Sequence, residues 1–388
     1  MLEITEQQCK KVKKLVRKEC ANFFEESCLL LDDGEKHDCV QLLTDYEISC
    51  GYFEKSVLPA HKKLCSEIKK RNLRSKGELK MKKIGNKFII GIDHGYGNIK
   101  TANCCFPTGI MKSDSEPTFA GDLLIWNGKY YSVGVGHKEF TADKFDDEDY
   151  YVLTLAAIAR ELKREKITDA EVIIAAGLPL TWVAEQKENF KEYLLQHSEV
   201  NFKFRNIEYH IKIAGADIYP QGFAAIVNNI SDFTGINMLC DIGNGTMNIM
   251  FVNDKKPYPR NCYTEKFGTH KCVQEVQESL MRIHHAEPPE EMITDVLRFG
   301  KADIDEEYLK TIIDTAKEYV EGIFQRLRKH GYDPKIMKLH VVGGGSCLIR
   351  NFADYDKSRV IINDDICATA KGYERMLEMK LIRNGKKI

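Results

Sequence analysis

Phe88-Ile89-Ile90-Gly91-Ile92-Asp93-His94-Gly95-Tyr96-Gly97 and Met238-Leu239-Cys240-Asp241-Ile242-Gly243-Asn244-Gly245-Thr246 are two apolar runs that end alike, in Asp-x-Gly-x-Gly. An extended pattern resumes at once after each, as Asn98-Ile99-Lys100-Thr101-Ala102 and Asn248-Ile249-Met250-Phe251-Val252, so each motif reads as the tip of a β-hairpin. Two glycines leave bare backbone N–H groups at the tip that can close on phosphate oxygens, and a carboxylate at the strand end can hold a magnesium ion through water. Either tip alone is also what any tight turn requires. Two of them facing each other would clamp a polyphosphate.

A third segment supports the pairing. Lys338-Leu339-His340-Val341-Val342-Gly343-Gly344-Gly345-Ser346 is again an apolar strand running into glycines, followed by Cys347-Leu348-Ile349-Arg350, which can open a helix. Three consecutive glycines let a flat ring such as a nucleoside lie against the main chain without meeting a Cβ. No Gly-x-x-x-x-Gly-Lys-[Ser/Thr] occurs, and neither tip continues to the third glycine of a dinucleotide fingerprint. The phosphates are therefore expected on hairpins, not on a helix N-terminus.

The order of tip, tip and triple glycine resembles the actin-like ATPase superfamily, from about Lys87 to the C-terminus, most closely in its ParM/StbA branch of bacterial plasmid-segregation proteins. The resemblance implies a duplicated α/β fold, two related halves around a nucleotide cleft. It assigns Gly95, Tyr96, Gly97 and Asn98 to the first phosphate loop, Gly243, Asn244, Gly245 and Thr246 to the second, and Gly343, Gly344, Gly345 and Ser346 to the adenosine motif. Lys100 matches the phosphate-contacting lysine, Asp93 and Asp241 the carboxylates that hold Mg²⁺ through water, and Gln221 the water-orienting residue. Tyr219-Pro220-Gln221-Gly222-Phe223-Ala224-Ala225 resembles the opening of one connecting helix, and Ala368-Thr369-Ala370-Lys371-Gly372-Tyr373-Glu374 the other. Implied with these are ATP, slow hydrolysis, self-assembly into filaments, and a DNA-binding adaptor at a plasmid centromere. The rival readings are a small-molecule kinase of the same superfamily and a membrane-associated assembly ATPase. A chaperone-like ATPase would need a peptide-binding domain after the adenosine motif, where only about forty residues follow Gly345.

Composition bounds the rest. At 388 residues and 43% hydrophobic the chain can hold two core domains and an appendage, and a net charge of −1 argues against general polyanion binding. Nothing reads as a membrane span, and Met1 to Cys20 lacks the apolar region of a signal peptide, so a cytoplasmic protein with reduced thiols is expected. Six of the thirteen cysteines lie in the first 65 residues, ahead of a polar, basic stretch that reads as a linker. There Cys20, Cys28, Leu29-Leu30-Leu31-Asp32-Asp33, Cys39, Cys50, Tyr52-Phe53 and Val57-Leu58-Pro59 resemble, in order, the cysteine-rich VLP family of mobile elements. Cys20, Cys28, Cys39 and Cys50, with His37 and His61 nearby, read either as a Zn²⁺ site or as buried thiols of a small helical unit. Val12, Leu15, Val16, Phe23 and Phe24 fall on one helical stripe. The lysines opposite face either solvent or DNA.

The expected organisation is a cysteine-rich, mainly α domain over 1–68, a linker over 69–83, a first half over 84–230, a second over 231–338, and a return to the first half over 339–388. Asn127-Gly128 suits a type I′ hairpin turn between Leu123–Trp126 and Lys129–Val133. Helices are expected near 150–162, 269–284, 290–299 and 306–328, a buried strand over 172–176 and a second hairpin over 202–213. His94, His340 and the pair His284-His285 read as structural or surface residues.

Overall fold

A computed structural model of the chain describes residues 2–4, 6–24, 27–29, 39–43, 47, 48, 50–68, 81–117, 122–135, 148–180 and 182–385. His37, residues 30–33 of the cysteine-rich resemblance and residues 69–80 of the linker lie outside them. The chain divides into two units, Met1–Lys80 and Met81–Ile388.

The first unit is small. Strand β1 (Leu2–Glu3) precedes helix α1 (Glu6–Glu19); β2 (Phe23–Phe24) and β3 (Ser27–Cys28) form a hairpin; α2 (Val40–Leu43) precedes β4 (Glu47–Ile48), which pairs with β1. Single-turn helices at Phe53–Val57 and Leu58–Ala60 lead to a helix over 62–68 (α3). Ile4, Val12, Val16, Phe53, Leu58 and Ile68 make its core, together with Cys9, Cys28, Cys39 and Cys65. Phe23 and Phe24 do not continue the α1 stripe. The helix ends at Glu19, Phe23 N–H turns back to the Cys20 carbonyl, and the strand that follows leaves Phe24 62% exposed.

The second unit begins with β5 (Lys82–Ile84), a strand that starts inside the stretch read as linker and pairs with β6 (Lys87–His94). There follow β7 (Asn98–Lys100), β8 (Cys105–Pro107), β9 (Ile110–Ser113), β10 (Leu123–Trp126), β11 (Lys129–Val133), α4 (Asp149–Arg164), β12 (Asp169–Leu178), α5 (Val183–Leu194), β13 (Glu199–Phe204), β14 (Ile207–Pro220) and the short α6 (Phe223–Ile226). Asn127 and Gly128 both have positive φ, as the type I′ turn requires. Next come β15 (Ile236–Ile242), β16 (Met247–Asn253), β17 (Lys256–Glu265), α7 (Thr269–His284), α8 (Glu290–Phe299), α9 (Glu306–Lys329), β18 (Lys338–Val342), α10 (Ser346–Phe352), β19 (Val360–Ile362) and α11 (Ala368–Gly385).

These elements repeat one plan. The larger sheet contains the order β8-β7-β6-β12-β14 and the smaller one is β17-β16-β15-β18-β19; in each, two antiparallel pairings are followed by two parallel ones. The central strands are mostly apolar because both their faces are covered. Phe88, Ile90 and Ile92 of β6 face the core built with α4, while Ile89 faces α11. Met238, Cys240 and Ile242 of β15 likewise face α7, α8 and α9, and Leu239 faces α6. Asp93 and Asp241 therefore end their strands on the faces served by α11 and α6. These two helices cross backbone on backbone: a Cβ on Gly372 would lie 1.8 Å from the Ala224 carbonyl oxygen.

Candidate functional site

The three glycine motifs and the strands that carry them open on one cavity of about 700 Å³, within the range of small-molecule sites. Gly95, Tyr96, Gly97 and Asn98 line it from the first tip, Gly243, Asn244, Gly245 and Thr246 from the second, and Gly343, Gly344, Gly345 and Ser346 from the third motif. Asp93, Asp241, Lys100 and Gln221 complete that set. The tips face each other closely enough that a Cβ on Gly97 would lie 3.0 Å from the Asn244 side chain.

Each loop is braced by local bonds. Thr108 donates through its hydroxyl to the Gly95 carbonyl (2.8 Å) and through its N–H to that of Gly97 (3.1 Å). In the second loop, Gly243 N–H bonds the Thr246 carbonyl, and the first amides of α7, at Thr269 and His270, bond the carbonyls of Gly243 and Asn244. Two of that helix's N-terminal amides are thus spent on bracing the loop. Gly343 turns at φ +88° against Asp241, whose Oδ1 would lie 2.5 Å from any Cβ placed there; Gly345 N–H then bonds the Ile242 carbonyl.

Charge is concentrated where the hairpins meet. Register places Lys100 opposite Asp93, with Nζ 3.7 Å from Asp93 Oδ2, and Gln221 donates through Nε2 to Asp93 Oδ1 at 3.0 Å. Burial, then the neighbouring Asp93, pushes the Asp241 carboxyl up to about 6, against the pull of Lys100. Burial lowers Lys100, but Asp93 and Asp241 together outweigh it and hold its ammonium above the usual value. The cluster is two buried acids sharing one lysine.

The wall formed by α8 was not legible in the sequence. Glu290, Thr294, Leu297 and Arg298 line the cavity together with Val273, Leu348 and Arg350. Their spacing on α8 is that of any amphipathic helix, so the fold alone brings them to the glycines.

The histidines beside the motifs are structural. His94 is buried, with Nε2 2.8 Å from Thr154 Oγ1, and packs edge-on against Phe190. His340 stacks on Phe233 with Nε2 3.2 Å from Asn237 Oδ1, and burial lowers its pKa to about 4. His284 bonds Thr311, and His285 is the left-handed cap of α7.

Among the described residues no group of three or more His, Cys, Asp or Glu side chains is placed to hold a metal ion, Cys20, Cys28, Cys39 and Cys50 included. Cys28 and Cys39 pack in the small core, where burial raises the Cys39 thiol, with Cys28 and Cys50 adding to the effect. Cys50 Sγ accepts the Phe53 N–H at 3.4 Å. None of the thirteen cysteines is joined in a disulfide. No helix among the described residues is long and apolar enough to cross a membrane.

Residues 91–223 match the family described as actin like proteins N terminal domain, which spans β6 to the start of α6. This chain has an actin-like fold. Residues 1–71, ahead of the actin-like unit, match the family described as cysteine-rich VLP. Solved structures similar to the actin-like unit include the apo pSK41 ParM protein, with 17% identity, 78% of this chain and 100% of that one covered, and a TM-score of 0.59. ParM of Bacillus thuringiensis with ATP is 15% identical, with 76% and 100% covered and a TM-score of 0.58. The Alp12 filament structure is 16% identical, with 76% and 99% covered and a TM-score of 0.57. No curated protein matches the chain.

Proposed function

We propose that this chain is a slow ATPase that assembles into nucleotide-dependent filaments in the cytoplasm and segregates a plasmid through a DNA-binding adaptor. One observation carries the reading: both hairpin tips, the triple glycine and Gln221 line a single cavity. Support for the wider role comes from proteins of the same fold solved with ATP and as a filament.

In this reading the nucleoside lies on Gly343, Gly344 and Gly345, and the amides of the two tips, with Lys100, hold the β- and γ-phosphate oxygens. Asp93 and Asp241 fit a magnesium ion held through water, because their mutual repulsion is what a cation relieves. Bound there, Mg²⁺ would neutralise charge on the phosphate oxygens. Gln221 orients the attacking water. A neutral amide is a weak base, so catalysis rests on position and turnover is slow, which suits a timer of filament life.

Right-angle light scattering and pelleting of the purified chain with ATP, with ADP and without nucleotide test the reading. Assembly with Mg-ATP and decay on hydrolysis are expected. Protein that stays monomeric with Mg-ATP yet phosphorylates a sugar or a carboxylate moves the assignment to the kinases.

A further inference from the structure

Beneath Gln221 lies a buried hydroxyl that the mechanism above does not use. Tyr373 on α11 is fully buried and its ring stacks on Tyr219, with centroids 6.3 Å apart and planes at 19°. Its hydroxyl is pressed against β12, where a Cβ on Gly177 would lie 2.1 Å away. Among the described residues it closes no hydrogen bond of full geometry, although the Gln221 amide is close enough to act on it as a hydrogen-bond partner and the charges of Asp93 and Asp241 reach it. A buried phenol normally finds a partner, and a phenylalanine ring would fill the same space without the oxygen.

The Gln221 amide is held chiefly by Asp93. Gln221 is anchored by its own N–H to the Leu178 carbonyl at 2.8 Å, and its Nε2 donates to Asp93 Oδ1 at 3.0 Å. That bond competes with any cation for the Asp93 carboxylate. If the water shell of a cation takes Asp93 Oδ1, Nε2 needs a new acceptor close by.

We propose that Tyr373 is the positioning residue for Gln221: its hydroxyl oxygen takes over Nε2 from Asp93, which leaves Gln221 Oε1 facing the attacking water. The inference rests on the reading of Gln221 as the water-orienting group. It gives α11, the helix that crosses α6, a direct hold on the chemistry. Any shift of that crossing moves the acceptor of the Gln221 amide.

The test is single-turnover ATP hydrolysis by the full chain carrying Tyr373→Phe, Gln221→Ala or both, with nucleotide affinity and melting temperature measured on each. Tyr373→Phe should hydrolyse about tenfold more slowly, the loss expected for one positioning hydrogen bond, with unchanged ATP affinity and no loss of melting temperature. The double variant should be no slower than Gln221→Ala alone, because both changes break one device. A wild-type rate for Gln221→Ala removes the reading of Gln221 and this inference with it. A slow Gln221→Ala beside a wild-type rate for Tyr373→Phe overturns this inference alone. So does an effect of Tyr373→Phe that persists undiminished in the Gln221→Ala background.

Discussion

At the scale of single residues, Asp241 is a carboxyl whose ionisation the fold opposes. Its folded pKa, raised to about 6, exceeds that of an unfolded aspartate, so its contribution to stability is present at low pH and is lost as pH rises from about 4 through 6. Replacement by asparagine removes the charge and keeps the shape. Asp241→Asn should therefore raise the stability of the nucleotide-free protein at pH 7.5 by about 1–3 kcal/mol, a gain that fades below about pH 5. The same variant should lose Mg-dependent ATP binding and hydrolysis. Melting curves across pH and calorimetric titration of ATP with and without Mg²⁺ read both halves; unchanged Mg-ATP affinity with a lower melting temperature would make Asp241 a turn residue only. Gln221→Ala should leave ATP affinity nearly intact and slow hydrolysis by about 10². Joint loss of affinity and turnover would show instead that Gln221 shapes the cavity. The hairpin that sets Lys100 opposite Asp93 was legible in the sequence, because a tight turn is local. Arg298 and Glu290 were not, since α8 reaches the cavity only through packing of distant elements.

At the scale of elements, what reads well in the sequence is what its own residues determine. Thr269–His284 and Glu290–Phe299 are helices over the expected spans, for both carry a clear apolar stripe and end at residues with left-handed φ. Strand β14 runs to Pro220, well past the expected end at 213, because its second half is held by parallel pairing with β12, which no local pattern announces. The connecting helix α6 is correspondingly short, and its crossing with α11 is where one methyl group matters. With the Gly372 Cα facing the Ala224 carbonyl, Gly372→Ala must force the helices apart. Overpacking of this kind costs about 1–3 kcal/mol. A drop in melting temperature is expected together with weakened nucleotide-dependent assembly, both measurable on one preparation. Normal stability and normal pelleting would show that the crossing yields without consequence.

At the scale of the whole molecule, two units of unequal size carry separate cores, one built around Val12, Val16 and Phe53 and the other around the repeated sheets. Every residue proposed to touch nucleotide lies after Met81. The solved structures of the same fold are covered almost completely while about three quarters of this chain is used, so an actin-like unit of that size needs no counterpart of the cysteine-rich segment. Residues 81–388 alone should therefore bind ATP as the full chain does and hydrolyse it at a similar rate. They should also sediment with Mg-ATP, so that any difference in critical concentration measures what the cysteine-rich unit adds to or removes from subunit contacts. Circular dichroism with nucleotide titration checks the first point, and pelleting of both proteins side by side checks the second. A folded 81–388 fragment that no longer binds ATP would place part of the nucleotide site in the first unit. A fragment that binds and hydrolyses ATP yet never sediments, beside a full chain that does, would make the cysteine-rich unit part of the filament contact itself.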